Sequence, residues 1–193
     1  TIACDAMNIP DYRGTRLKAI LSEAAGLPVA VENDVNCAAL GEYWLGAGQG
    51  ASSLAMLTLG AGVGGALLMD GRILRGALGF AGEVGYLPFP GGNLEALAST
   101  AALVRRVAAA KGLPEEAVDG EMVFAWAKTG DEIARGAISR MTEALAAGIA
   151  VVCCVANPAV VIIGGGISAE AAYLRPLLLE ALGAVLPADI FTG

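Results

Sequence analysis

"SSLAMLTLGAGVGGALLMDGRIL", residues 52–74, decides how the rest of the chain is read. Two apolar β-runs flank a glycine-rich turn, and Asp70-Gly71 predicts a tight hairpin into a third strand. A second glycine stretch, "AVVIIGGGIS" at 159–168, reads as a buried strand ending in three glycines. A helix is expected after it, from about Ala169 to Gly183. Between the two lie helical patterns: one beginning at Asn93 and running to 111, a short one in "GEMVFAWAKTG", and a long one from about Asp131 to Asn157. In the long helix Ile138, Met141, Leu145, Gly148 and Val152 recur at three- and four-residue steps, so one face is buried, and Asn157-Pro158 stops it. Upstream, residues 5–14 read as a loop, and "TRLKAILSEAAG" as a helix capped by Thr15 and closed by Gly26. "LPVAVEN" reads as a strand and "DVNCAALGEYWLG" as a helix with Asn33 or Asp34 near its start. Strands early, helices later and a final strand–glycine–helix unit predict a layered α/β fold.

The composition narrows the function. Of 193 residues, 56% are hydrophobic and 16% charged, and mean hydropathy is +0.65, so a sizeable core is expected and disorder is not. The apolar run "AGIAVVCCVA", residues 147–156, is too short to span a bilayer and reads as part of a buried helix. No secretory signal pattern is visible, and cytoplasmic residence without membrane attachment is the expectation. Net charge is −7 and no Lys/Arg cluster exceeds Arg105-Arg106, so this segment predicts no nucleic-acid surface. The absence of histidine removes the usual zinc ligand sets and histidine acid–base chemistry. Cys4, Cys37, Cys153 and Cys154 lie in apolar surroundings and read as small buried residues in a reducing compartment. The chain begins at Thr1 and reads as a piece of a longer protein.

Three features carry candidate chemistry. The glycine clusters "TLGAGVGG" (58–65) and "IIGGGIS" (162–168) follow buried strands, where backbone N–H groups can approach an anion. Each is also readable as an ordinary tight turn, and neither matches the P-loop or the dinucleotide fingerprint. "VENDVN", residues 31–36, sets Glu32, Asn33, Asp34 and Asn36 at the end of an apolar run. Helix capping explains one such residue; a proton acceptor for a reacting hydroxyl explains an aspartate equally well. "GFAGEVGY", residues 79–86, holds Glu83 between Gly82 and Gly85, as an exposed turn or as an acceptor held close to a ligand.

Together, "VENDVNCAALGEYWLGAG", "LTLGAGVGGALLMDGRILRGALGFAGEVGY", "LEALAS" and "VVIIGGGIS" resemble the ROK family (repressor, open reading frame, kinase) of the actin-like sugar kinases. The resemblance implies two ribonuclease-H-like α/β lobes with a sugar cleft between them. Residues 1–33 would end the N-terminal lobe, and 34–193 would form most of the C-terminal lobe, incomplete at its own C-terminus. It implies Asp34 as the catalytic base towards the γ-phosphate of ATP, with Mg²⁺. It implies Asn8, Asn33, Glu83 and Glu95 as sugar ligands. Gly60, Ala61 and Gly62 would form a phosphate turn, and Gly164, Gly165 and Gly166 would lie beside the adenosine. Ala61 stands where the family usually has threonine. Tyr86 stands where it usually has a histidine, and "LPFPGG" where it has a cysteine-rich zinc loop. No zinc is therefore expected, and Tyr86 becomes a candidate sugar contact. The family's N-terminal D-x-G-G-T motif is not in the chain, so the fragment alone is expected not to transfer phosphate.

The first functional expectation is an ATP-dependent sugar kinase when intact. The alternative is the sugar-sensing domain of a transcriptional repressor, with nucleic acid a partner only if a winged-helix domain lies upstream. A homodimer is the expected assembly.

Overall fold

A computed structural model describes residues 14–187. The chain divides into two compact units, Thr1–Asp34 and Val35–Gly193. In the first, helix α1 spans Leu17–Ala25 and ends on Gly26 at φ 64°, the left-handed conformation glycine adopts without strain. Arg16 and not Thr15 occupies its N-cap, and no side chain caps it there. The expected strand at 27–33 does not form: a strand exists only through its ladder, and no other described segment of this unit is extended beside it.

The second unit is built on one sheet. After α2 (Asp34–Leu45), strands β1 (Ser53–Leu59), β2 (Val63–Met69) and β3 (Arg72–Ile73) run as an antiparallel meander. Asp70 (φ 50°) and Gly71 (φ 72°) make the β2–β3 turn with both central residues at positive φ, as the Asp-Gly pair predicts. A two-residue pair, β4 (Pro88–Phe89) with β5 (Gly92–Asn93), occupies the "LPFPGG" segment. The expected helix at 93–111 is two: α3 (Leu94–Ala98) and α4 (Thr100–Lys111). Ser99 separates them in extended conformation and caps α4 by accepting from Ala102 N–H at 3.1 Å. This is the hydroxyl chemistry that makes serine a cap and a poor helix-interior residue. Then come α5 (Gly120–Lys128), α6 (Glu132–Ala156), β6 (Val160–Gly164) and α7 (Ala171–Val185). The turn between β6 and α7 is 3-10, Gly166–Glu170, so the last α-helix starts two residues later than expected.

The sheet order is β3-β2-β1-β6, with β6 parallel to β1. Its period-two alternation sorts the core. Ala55, Leu57 and Leu59 point to a cluster with α3 to α7; Leu54 and Met56 point to Val35 and Ala39 of α2 on the opposite face. β1 is therefore apolar on both sides, and each fully buried leucine contributes about 1.5–3 kcal/mol. Helix α6 buries Ile138, Met141, Leu145, Gly148 and Val152 as its periodicity predicts. Asp131 caps its start, accepting from Ala134 N–H at 2.9 Å. Asn157 (φ 42°) ends it in left-handed conformation. By length and composition α6 would cross a membrane, but half of its most apolar window is buried in this core.

The cysteines correct the sequence reading. Cys153 is buried, and burial pushes its thiol up, but Cys37 and Cys154 are exposed. Adjacent helical residues lie about 100° apart, so only one of Cys153 and Cys154 can face the core. Cys37 sits two residues from both buried positions of α2, on its outer side.

Candidate functional site

The two glycine turns leave the sheet together. β1 and β6 are parallel neighbours, with Thr58 opposite Gly164, so both turns lie at the carboxyl ends of adjacent strands. Open α/β sheets bind ligands at such ends. Gly165 has φ 91°, and a Cβ there would stand 2.3 Å from the Leu59 carbonyl oxygen; only glycine allows this approach. A Cβ on Gly60 or Gly166 would meet nothing within 4 Å, so the backbone at these two positions is open on one side. Ser168 donates to the Gly165 carbonyl from its hydroxyl at 2.8 Å and from its N–H at 3.0 Å, which fixes the second turn.

The first turn is braced from three sides. Gly60 N–H donates to Gly62 O at 3.0 Å across the turn, and Ala101 N–H, at the start of α4, donates to Gly60 O at 3.3 Å. Glu95, the second residue of α3, accepts from Val63 N–H through Oε2 at 3.1 Å. A Cβ on Gly62 would lie 2.4 Å from that same oxygen, so the missing side chain makes room for the carboxylate.

The "GEVGY" segment packs against the same strand. Gly82 (φ 92°) and Gly85 approach it closely. A Cβ on Gly65 would lie 2.3 Å from Gly82 O, and one on Gly85 would lie 2.3 Å from Val63 O and 3.6 Å from Glu95 Cβ. Leu94 N–H donates to Leu87 O at 2.9 Å and joins the start of α3 to this loop. Glu83 is half-buried and precedes the 3-10 turn Val84–Tyr86. Tyr86 is 65% exposed and its ring lies 5.7 Å from that of Phe80, itself 63% exposed. Gly60, Gly62, Glu83, Tyr86 and Glu95 thus belong to one continuous set of contacts, and Gly164–Gly166 join it through Leu59.

In the first unit, Asn33 and Asp34 are exposed, and Asp34 is the first residue of α2. Glu32 Oε1 accepts from Asn33 N–H at 3.0 Å. Asn8 lies outside the described residues. Among the described residues no group of three or more His, Cys, Asp or Glu side chains stands in a metal-ligating arrangement.

Sequence reasoning missed the bracing. Nothing in the pattern ties Glu95 to Val63, 32 residues earlier, or Ala101 to Gly60. The available signal was the pair of caps: Asn93 accepts from Ala96 N–H at 2.8 Å, and Ser99 caps the next helix, so two helix starts fall within seven residues. A cavity of about 820 Å³ lies between α6, β6 and α7. Its walls are mostly aliphatic (Ile149, Leu178 and Leu182 among them), with Thr142, Asn157, Ser168 and Arg175 as their polar members.

Comparison with known proteins identifies the family and the fold. The sequence pattern of the ROK family matches residues 2–186. A glucokinase of Halalkalibacterium halodurans is 35% identical over 89% of this chain and 59% of its own length. The crystal structure of a ROK family glucokinase from Streptomyces griseus, in complex with glucose and AMPPNP, superposes with a TM-score of 0.83 at 30% identity. That match covers 95% of this chain and 66% of the other. A ROK family transcriptional regulator, a homologue of the E. coli MLC protein, superposes at 0.76 with 31% identity, over 86% and 46% of the two chains. The chain spans about 60% of the length of the curated relatives it matches. The α/β fold is that of the ROK sugar kinases, within the ribonuclease-H-like, actin-like class. Its turns, its "GEVGY" loop and its "LEALAS" helix meet at one end of the sheet, and a match across nearly all its length settles the descent: the chain belongs to the ROK family.

Proposed function

We propose that the intact protein transfers the γ-phosphoryl group of ATP to a sugar hydroxyl. The observation that carries this reading is the meeting of two glycine turns at the carboxyl ends of β1 and β6, with Glu95 reaching the first of them. The turns Gly60–Gly62 and Gly164–Gly166 would take a polyphosphate and its nucleoside, because at Gly60 and Gly166 a Cβ would meet nothing within 4 Å and the backbone is open on one side. ATP with Mg²⁺ supplies the transferable phosphoryl group and neutralises charge on it. Asp34 takes the proton of the attacking hydroxyl. Asn8, Asn33, Glu83 and Glu95 hold the other sugar hydroxyls, since carboxylates accept and amides both accept and donate. Tyr86, with Phe80 beside it, offers a ring face and a phenol hydroxyl to the sugar. Residues 1–33 end one lobe and 34–193 form most of the other. The reading includes a homodimer in the cytoplasm, free of membrane, without bound zinc.

A second reading is a sugar-responsive regulator. Ala61 favours it, because the phosphate-facing turn then offers no side-chain hydroxyl. The test is a panel of glucose, mannose, N-acetylmannosamine and cellobiose with Mg·ATP and the full-length protein. ADP release and a phosphorylated sugar by mass spectrometry support the kinase. Sugar binding by calorimetry without product supports the regulator.

A further inference from the structure

The first glycine turn and the sugar-facing helix α3 share one carboxylate, and this suggests how the two halves of the reaction are tied. We propose that Glu95 is a positioning residue that couples sugar binding to the conformation of the phosphate-facing turn, an inference that rests on the kinase reading above. Glu95 Oε2 accepts from Val63 N–H, the first amide after the turn. Among the described residues this is the one side-chain hydrogen bond made to residues 60–63. Ala61 contributes only a methyl, and the other braces are a backbone bond within the turn and the 3.3 Å bond from Ala101.

The carboxylate rises from a fixed base. Asn93 caps α3 at 2.8 Å, and Leu94 N–H is held by Leu87 O. A carboxylate has about four acceptor sites; Val63 takes one, and Glu95 is exposed, so Oε1 remains open to a ligand. Hydroxyls bound to Oε1 restrict the Glu95 side chain and through Oε2 restrict Val63 and the turn. A nucleotide bound to the turn restricts Glu95 in return, since coupling between two sites is reciprocal.

Gly62 makes the idea testable without altering the carboxylate. It lies outside the left-handed region, so alanine there adds no backbone strain, but its Cβ would fall 2.4 Å from Oε2 and push the carboxylate off Val63. The experiment measures, by calorimetry on the full-length protein, the Kd of a non-hydrolysable ATP analogue with Mg²⁺. It is measured with and without a saturating amount of the panel sugar turned over fastest. Sugar is expected to tighten nucleotide binding at least about fivefold in the unmodified protein. In Gly62→Ala, and independently in Glu95→Ala at saturating sugar, the ratio is expected to fall within about twofold of unity. A residue that only contacts sugar, or only stabilises the fold, would change either Kd and leave their ratio intact. Circular dichroism confirms folding, and if one variant is unfolded the other decides. A wild-type ratio retained in a folded variant, or a ratio of one in the unmodified protein while it still phosphorylates sugar, overturns the coupling and spares the kinase. Failure to bind either ligand overturns both.

Discussion

The two glycine turns end neighbouring strands and are held by different forces. Gly164–Gly166 is fixed by shape: Gly165 at φ 91° has the Leu59 carbonyl where a side chain would be, and Ser168 donates twice to the Gly165 carbonyl. Gly60–Gly62 is held by one bond across the turn and by two from elsewhere, the α3 carboxylate of Glu95 on Val63 N–H and the α4 amide of Ala101 on Gly60 O. Steric fixation is insensitive to ligand. A bond to an exposed carboxylate shifts when that carboxylate gains a second partner. One turn is therefore scaffold and the other adjustable, although both carry the same residue type in the same place on the sheet.

The largest effect that separates them is on stability. Gly165→Ala forces a side chain into left-handed backbone and against a main-chain oxygen, and a loss of about 3 kcal/mol or more is expected in denaturant unfolding. Gly65→Ala follows, since its Cβ would meet Gly82 O at 2.3 Å; it should cost about 1–3 kcal/mol as the "GEVGY" segment is pushed off β2. Gly62→Ala displaces only the end of a flexible side chain and should stay within about 1 kcal/mol of the unmodified protein. If Gly62→Ala unfolds the domain as readily as Gly165→Ala, the contrast between the turns is lost. The smallest effect is a control away from both. Lys111 hydrogen-bonds Asp131 and, with the Ala134 amide, holds its carboxyl below the usual aspartate range. A depressed folded pKa gives stability that is present above the unfolded value of about 3.9 and is lost as pH falls through the folded one. Asp131→Asn should flatten that acid limb, read as melting temperature against pH from about 2 to 6, and leave ligand binding unchanged.

Much of the fold was legible because its signals are local. Asp70-Gly71 specifies a hairpin from two residues, and Asp131 and Asn157 mark the ends of a helix whose buried face follows from its period. The failures share a cause. Whether 27–33 becomes a strand depends on a partner that local sequence does not contain. Whether Cys37 and Cys154 are buried depends on which side of a helix meets the sheet. Ser99 is the exception: its capping chemistry is local and readable from residue type alone. For the candidate site, the glycines and carboxylates were visible as motifs, but their assembly was not. The bond from Val63 to Glu95 spans 32 residues and follows from the docking of α3 beside β2.

The most direct test of the account is Asp34→Asn in the full-length protein, assayed with Mg·ATP and the best panel sugar beside a calorimetric sugar titration. The account predicts that turnover falls about 10²–10⁴-fold while the variant still binds sugar. Undiminished turnover in a variant that binds sugar normally would contradict it.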